Sequence, residues 1–161
     1  MSRETKKALV WIVSLFRKYK IPFVIGGGFA AKVYGSRRGL VDIDIDIPIK
    51  NLLELEALVE KYKICGPKQY IDNNFNLLLM TLKYKGQVID ICGAENQKIL
   101  NKKTKQWEFL KESFSKAVKK RTYGMGLPII PLKDLIEYKE KLSRRVDLKD
   151  VKELKKVPKQ S

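Results

Sequence analysis

Residues 41–50 read VDIDIDIPIK, with Asp42, Asp44 and Asp46 at alternate positions and an isoleucine after each. Successive side chains of a strand point to opposite faces, so the three aspartates share one face and Val41, Ile43, Ile45 and Ile47 the other. Pro48 ends this strand or marks an edge. Acids packed this closely repel one another unless something positive lies among them. A polar sheet edge would show the same alternation, so the run by itself does not separate a site from a surface.

Working outward, the glycine run GGGFAA at 26–31 follows the apolar IPFVI at 21–25 and leads into good helix formers. That order predicts a strand, a turn and a helix whose free backbone amides and positive end could hold a phosphate. The run satisfies neither the Gly-x-Gly-x-x-Gly dinucleotide pattern nor a P-loop, since no Gly-Lys-Ser/Thr follows. Close strand–helix packing is the plainer use of such glycines. Residues 4–19 carry Ala8, Leu9, Trp11, Ile12, Leu15, Phe16 and Tyr19 at helical spacing and predict a first amphipathic helix. Asn51 is a candidate cap for a helix over 52–62.

FNLLLMTLKY, KG and QVIDIC, from 75 to 92, predict an antiparallel hairpin turning at Lys85–Gly86. Within it Asp90 is a lone acid in an apolar strand, a costly placement without a cation. Residues 94–106 are polar and poorly patterned, residues 107–120 suggest a helix, and RTYGMGLPII at 121–130 an irregular or strand segment. The segment from Pro131 to Val157 reads as two helices with a break near Arg145–Val146. No internal repeat or linker is visible. The expected architecture is one α/β (α+β) domain over 1–161, with a small mixed sheet in a core over 1–97 and a basic helical portion over 98–161.

Composition bounds the chemistry. The 161 residues suffice for one domain with a core, and 44% apolar content favours a folded chain. Histidine is absent, which removes imidazole-based nucleophile pairs and most zinc sites. Two isolated cysteines, Cys65 and Cys92, suit a reduced cytoplasmic protein. No apolar run approaches a membrane span, and MSRETKK is followed by no signal-peptide cleavage pattern. The net charge is +16, and it is uneven: residues 1–97 hold 15 basic and 10 acidic groups, residues 98–161 hold 19 and 8. A basic surface attracts polyanions such as RNA or nucleotides. Paired acids on one strand face are a scaffold for Mg²⁺, which takes oxygen ligands and keeps substrate phosphates in its shell.

Taken together, residues 23–47 resemble the signature of the nucleotidyltransferase superfamily related to DNA polymerase beta. They are most similar to its small bacterial and archaeal branch, GG.A....G..R.T.DIDI, with Gly27, Gly28, Ala30, Gly35, Arg38, Asp42 and Asp44 in register. Leu40 stands where that pattern has threonine. QVIDIC resembles the strand that supplies a third acid, Asp90, and Lys139, Arg144, Asp147 and Asp150 match the branch's C-terminal K....R..D..D helices. The resemblance implies a nucleotidyltransferase fold, Mg²⁺ (or Mn²⁺) on Asp42, Asp44 and Asp90, and a nucleoside triphosphate such as ATP on Gly27, Gly28, Arg38 and Lys139. Arg144 with Asp147 or Asp150 is expected to pin the last two helices together.

The implied reaction moves a nucleoside monophosphate to an acceptor hydroxyl and releases pyrophosphate. The acceptor is left open among RNA ends, small molecules and proteins, with the basic C-terminal portion pointing towards RNA. A protein partner or self-association would complete the acceptor site, and no membrane is involved. The rival expectation is a non-catalytic protein of this fold that binds nucleotide, RNA or a partner, as an antitoxin would. Asp46, about 7 Å beyond Asp44 at ~3.3 Å per residue, is expected at the rim steering a basic group. The alternative shifts the active pair to Asp44 and Asp46.

Overall fold

In the computed structural model, which describes residues 1–111 and 114–158, the aspartate run is strand β2 (Asp42–Ile47) in the interior of a nine-stranded mixed sheet. Its alternation is met on both sides. Ile43, Ile45 and Ile47 are fully buried, whereas the three aspartates are half-buried on the opposite face. Two parallel or antiparallel neighbours fix the register. Strand β1 (Val24–Ile25) pairs antiparallel with Ile25 opposite Ile45, and β5 (Gln87–Gly93) pairs parallel with Asp90 opposite Asp44.

Helix α1 (Arg3–Lys18) and α3 (Ile49–Val59) bury their apolar stripes in the core that holds the isoleucine face. In α1 these are Ala8, Leu9, Ile12, Val13 and Phe16, and full burial of each large side chain is worth about 1.5–3 kcal/mol. Ser2 caps α1, its hydroxyl accepting from the Thr5 amide at 3.1 Å. Helix α2 (Gly27–Tyr34) leaves β1 at the glycine run and stops at Gly35, whose φ of +118° suits only glycine well. Helices α4 (Leu132–Leu142) and α5 (Arg145–Leu154) bring Lys139 and Arg144 to the acid face.

The expected hairpin is present as β4 (Phe75–Tyr84) and β5. Lys85 and Gly86 both take positive φ in its two-residue turn, the conformation that matches strand twist. Strand β3 (Lys63–Ile71), which the pattern did not announce, pairs with β4 through register shifts at Cys65 and Lys68.

Three expectations are corrected. Residues 107–120 do not form a helix: Gln106–Phe109 is strand β7 and Val118–Thr122 is β8, with residues 112 and 113 outside the described residues. Trp107 and Phe109, two apart, mark a strand period, and Lys119, Lys120 and Arg121 give β8 the charged character of an edge strand. The portion from 98 onward is therefore not simply helical, since β6 (Lys98–Asn101), β7, β8 and β9 (Met125–Ile129) precede α4 and extend the sheet at both ends. Asn51 does not cap α3. Pro48 occupies the cap position, and Asn51 is buried in the first turn with its Nδ2 3.4 Å from Glu54. The break between the last helices falls at Ser143 and Arg144, just before the expected position.

Candidate active site

The cross-strand register of β2, β5 and β4 sets a row of polar side chains on one face: Asp44 opposite Asp90, and Asp90 opposite Thr81. One oxygen each from Asp42, Asp44 and Asp90 lies within 4.8 Å of the others. The row opens into a cavity of about 910 Å³ that Gly26, Gly27 and Gly28 also line. Strand β1 ends at Ile25, and the Gly26 amide donates to the Asp44 carbonyl at 3.0 Å, which locks the glycine turn to the acid strand. The first-turn amides of α2 have no intrahelical acceptors and so point a positive helix end at the same space.

Glycine at 27 is required twice over. Its φ is +55°, and a Cβ there would overlap the Asp44 carboxylate. A Cβ on Gly28 would lie 2.8 Å from Arg38 Nη2, while one on Gly26 meets nothing within 4 Å. Gly27→Ala is therefore expected to cost about 1–3 kcal/mol of stability through left-handed strain and to push Asp44 out of the row, whereas Gly26→Ala is tolerated. Paired thermal melts of the two variants check this.

Electrostatically the acids are frustrated. Burial, then the charges of Asp42, Asp90 and Asp46, push Asp44 up to about 7. Burial raises Asp42 against the lowering effect of Arg38, Arg144 and Lys139. Burial also raises Asp90, which the Thr81 hydroxyl opposes by donating to its Oδ1 at 2.6 Å. Oxygen donors at this spacing whose charged forms are disfavoured fit a hard divalent cation, which supplies the missing positive charge.

The remaining candidates sit differently from expectation. Asp46 does not steer a basic group. It is half-buried in the cavity wall, burial pushes it up to about 6, and its partner is an amide, Gln97 Nε2 at 2.9 Å. It stays outside the close group formed by Asp42, Asp44 and Asp90. Arg38 lies beside Gly28, but its guanidinium is held in a fork on Asp150, with Nε 3.1 Å from Oδ1 and Nη2 3.0 Å from Oδ2. Lys139 is neither exposed nor free. Its side chain is 2% exposed, with Nζ 2.9 Å from Asp150 and 3.4 Å from Asp147.

Arg144 does not bind Asp150 but forks onto Asp147, at 2.6 and 3.1 Å, and Asp147 in turn accepts from the Arg144 amide to cap α5. The Ser36 hydroxyl donates to Asp150 at 2.7 Å and closes the network. It is thus Lys139, between Asp147 and Asp150, that ties α4 to α5. Leu40, where threonine was expected, packs against the core and would lie 3.7 Å from a Cβ on Gly28. Sequence inspection missed Thr81 and Tyr138, which also lines the cavity and whose hydroxyl burial raises well above the tyrosine range. The alternation Leu77, Leu79, Thr81 along β4 was the available signal for the first.

No protein-family model and no curated protein matches the chain by sequence. Among solved structures, the candidate nucleotidyltransferase TM1012 of Thermotoga maritima is similar over 94% of this chain and 93% of its own, with a TM-score of 0.75 and 19% identity. The lincosamide antibiotic adenylyltransferase LnuA, bound to lincomycin, matches 94% of this chain and 97% of its own at a TM-score of 0.63 and 19% identity. ANT(2″)-Ia in complex with adenylyl-2″-tobramycin matches 93% and 87% at 0.60 and 17%. The chain has the nucleotidyltransferase fold. No helix among the described residues is long and apolar enough to cross a membrane.

Proposed function

We propose that this protein transfers a nucleoside monophosphate from a nucleoside triphosphate, ATP being the first to test, to an acceptor hydroxyl. The observation that carries this reading is the convergence of Asp42, Asp44 and Asp90 beside the open amino end of α2. These three carboxylates would hold Mg²⁺, or Mn²⁺ in its place. Such an ion, when bound, neutralises phosphate charge and lowers the proton affinity of an oxygen attached to it.

The chain's own residues do the rest. The Gly27 and Gly28 amides receive phosphate oxygens, as helix amino ends commonly do. Asp90 accepts the acceptor's hydroxyl proton. As that O–H bond breaks, the oxygen bonds to the α-phosphorus, the bond from that phosphorus to the bridging oxygen breaks, and pyrophosphate leaves. Arg38 and Lys139 act as fixed positive charges beside Asp42 and Asp44, both being held on Asp150. A non-catalytic binder of nucleotide or RNA would keep the glycine turn without needing three converging acids. Two of the similar structures hold lincomycin or an adenylylated tobramycin, so small hydroxylated molecules come first as acceptors, followed by RNA ends and proteins. The cytoplasm, with its triphosphate supply, is the proposed place of action.

The test is to incubate the protein with Mg²⁺, a triphosphate labelled at the α-phosphate, and in turn a small-molecule extract, total RNA and total protein. Label should enter one pool with the native chain and none with Asp42→Ala/Asp44→Ala; no transfer to any pool would contradict the proposal. Thr81→Val is expected to raise the Asp90 pKa further, because the hydroxyl that stabilises its charged form is gone. The acid limb of the pH–rate profile then moves upward, so rate is lost on the acid side and recovers at high pH.

A further inference from the structure

A second surface, on the other side of the sheet, has the chemistry of a polyanion site. Because α1 packs on the isoleucine face, its exposed side looks away from the acid row. Between α1 and the β4–β5 turn lies a groove of about 660 Å³. Half of the residues lining it are cations, Arg3, Lys6, Lys7, Lys18 and Lys85, and none is a carboxylate. None of the five is ion-paired to a carboxylate among the described residues. The floor is aromatic: Trp11 stacks on Tyr84 with ring centroids 4.3 Å apart and planes at 4°, and Tyr62 closes on both edge-on.

We infer that this groove binds single-stranded RNA, the cations following the phosphates and the Trp11–Tyr84 floor receiving bases. Cations without carboxylate partners along a groove with an aromatic floor are the arrangement by which single strands are held without sequence preference. An anionic membrane surface fits less well. Interfacial helices bury a broad apolar face in the headgroups, whereas the outer side of α1 offers Val10, 39% exposed, with Trp11 and Leu15 only partly open between the cations. This inference does not depend on the acid row being catalytic.

The test is fluorescence anisotropy of a labelled 12-nucleotide single-stranded RNA at 50 and 200 mM KCl. Lys6→Glu/Lys7→Glu/Lys18→Glu is compared with Lys149→Glu/Lys152→Glu/Lys156→Glu, which makes the same charge change on exposed positions of α5 and just beyond it. The groove variant should bind at least about 10-fold more weakly, and its salt dependence should lose roughly two units of slope, while the α5 variant changes less than about threefold. In a Trp107→Phe background, RNA should also quench Trp11 emission. Equal losses in the two triple variants would overturn the proposal. So would no binding at 50 mM KCl, or capture by phosphatidylserine vesicles in place of RNA.

Discussion

Asp44→Asn is expected to abolish nucleotidyl transfer and, at the same time, to make the metal-free protein more stable at pH 8. The two effects have one cause. In the fold Asp44 titrates at about 7, against 3.8 as an ordinary aspartate, because burial and three neighbouring acids oppose its charge. The native state thus holds its proton more tightly than the unfolded chain. Its stability contribution is most favourable below pH 3.8 and is lost as pH rises from about 4 to about 7, the reverse of an aspartate in a salt bridge. An asparagine carries no charge to suppress. In EDTA at pH 8 the variant should gain about 2 kcal/mol or more, roughly 5 °C in melting temperature for a chain of this size. The gain should vanish below pH 4. Under the proposed function, removing one of the three carboxylates that would hold the ion should cost several kcal/mol of barrier, about 10³-fold or more in rate. Melts across pH with and without Mg²⁺, beside label-transfer rates, check both signs.

Lys139→Met should be strongly destabilising. The ammonium is buried between Asp147 and Asp150, which are themselves fully buried, and its removal leaves two carboxylates short of a counter-charge. Breaking a buried pair from one side costs about 3–5 kcal/mol. Here Arg38 still serves Asp150 and Arg144 still serves Asp147, so the lower end, about 3 kcal/mol, is expected. That is about 6–12 °C in melting temperature. Chemical denaturation should show an unchanged slope with a lower midpoint, and the loss should shrink when Asp150→Asn is added, since the two sites share a bond. A lysine that only reached for phosphate would lose activity on substitution without this loss of stability.

The contrast between these residues shows what the chain made legible. The acid row could be read because a strand alternates faces without exception, and because the glycines and Asp90 lay at distances from Asp42 and Asp44 that resemble a known pattern. The hairpin at Lys85–Gly86 was legible for the same local reason. Lys139 was not. Its spacing to Asp147 and Asp150 is visible, but whether it faces solvent, substrate or those acids depends on how α4 meets α5 across Ser143, where the chain takes a left-handed residue. Asp46 was misplaced because Gln97, its partner, comes from a stretch with no periodicity. The expected helix over 107–120 failed because Trp107, Leu110 and Val118 satisfy a helical period while Trp107 and Phe109 satisfy a strand one. Pairing with Lys98–Asn101 decides for β7, and that pairing leaves no mark in the local sequence. The size of the sheet was hidden likewise, since β3 and β8 are edge-like and rich in lysine.

The most direct test of the account is the binding of Mn²⁺ to the native chain, followed by electron paramagnetic resonance, in the presence and absence of a non-hydrolysable nucleoside triphosphate. Mn²⁺ takes the same oxygen donors as Mg²⁺. The account predicts that the triphosphate and Mn²⁺ strengthen each other's binding, by the same factor in either direction, and that Asp42→Asn/Asp44→Asn removes both the bound-ion signal and the coupling. Mn²⁺ binding that survives in the double variant, or triphosphate binding indifferent to the ion, would contradict the acid row as the place where ion and nucleotide meet.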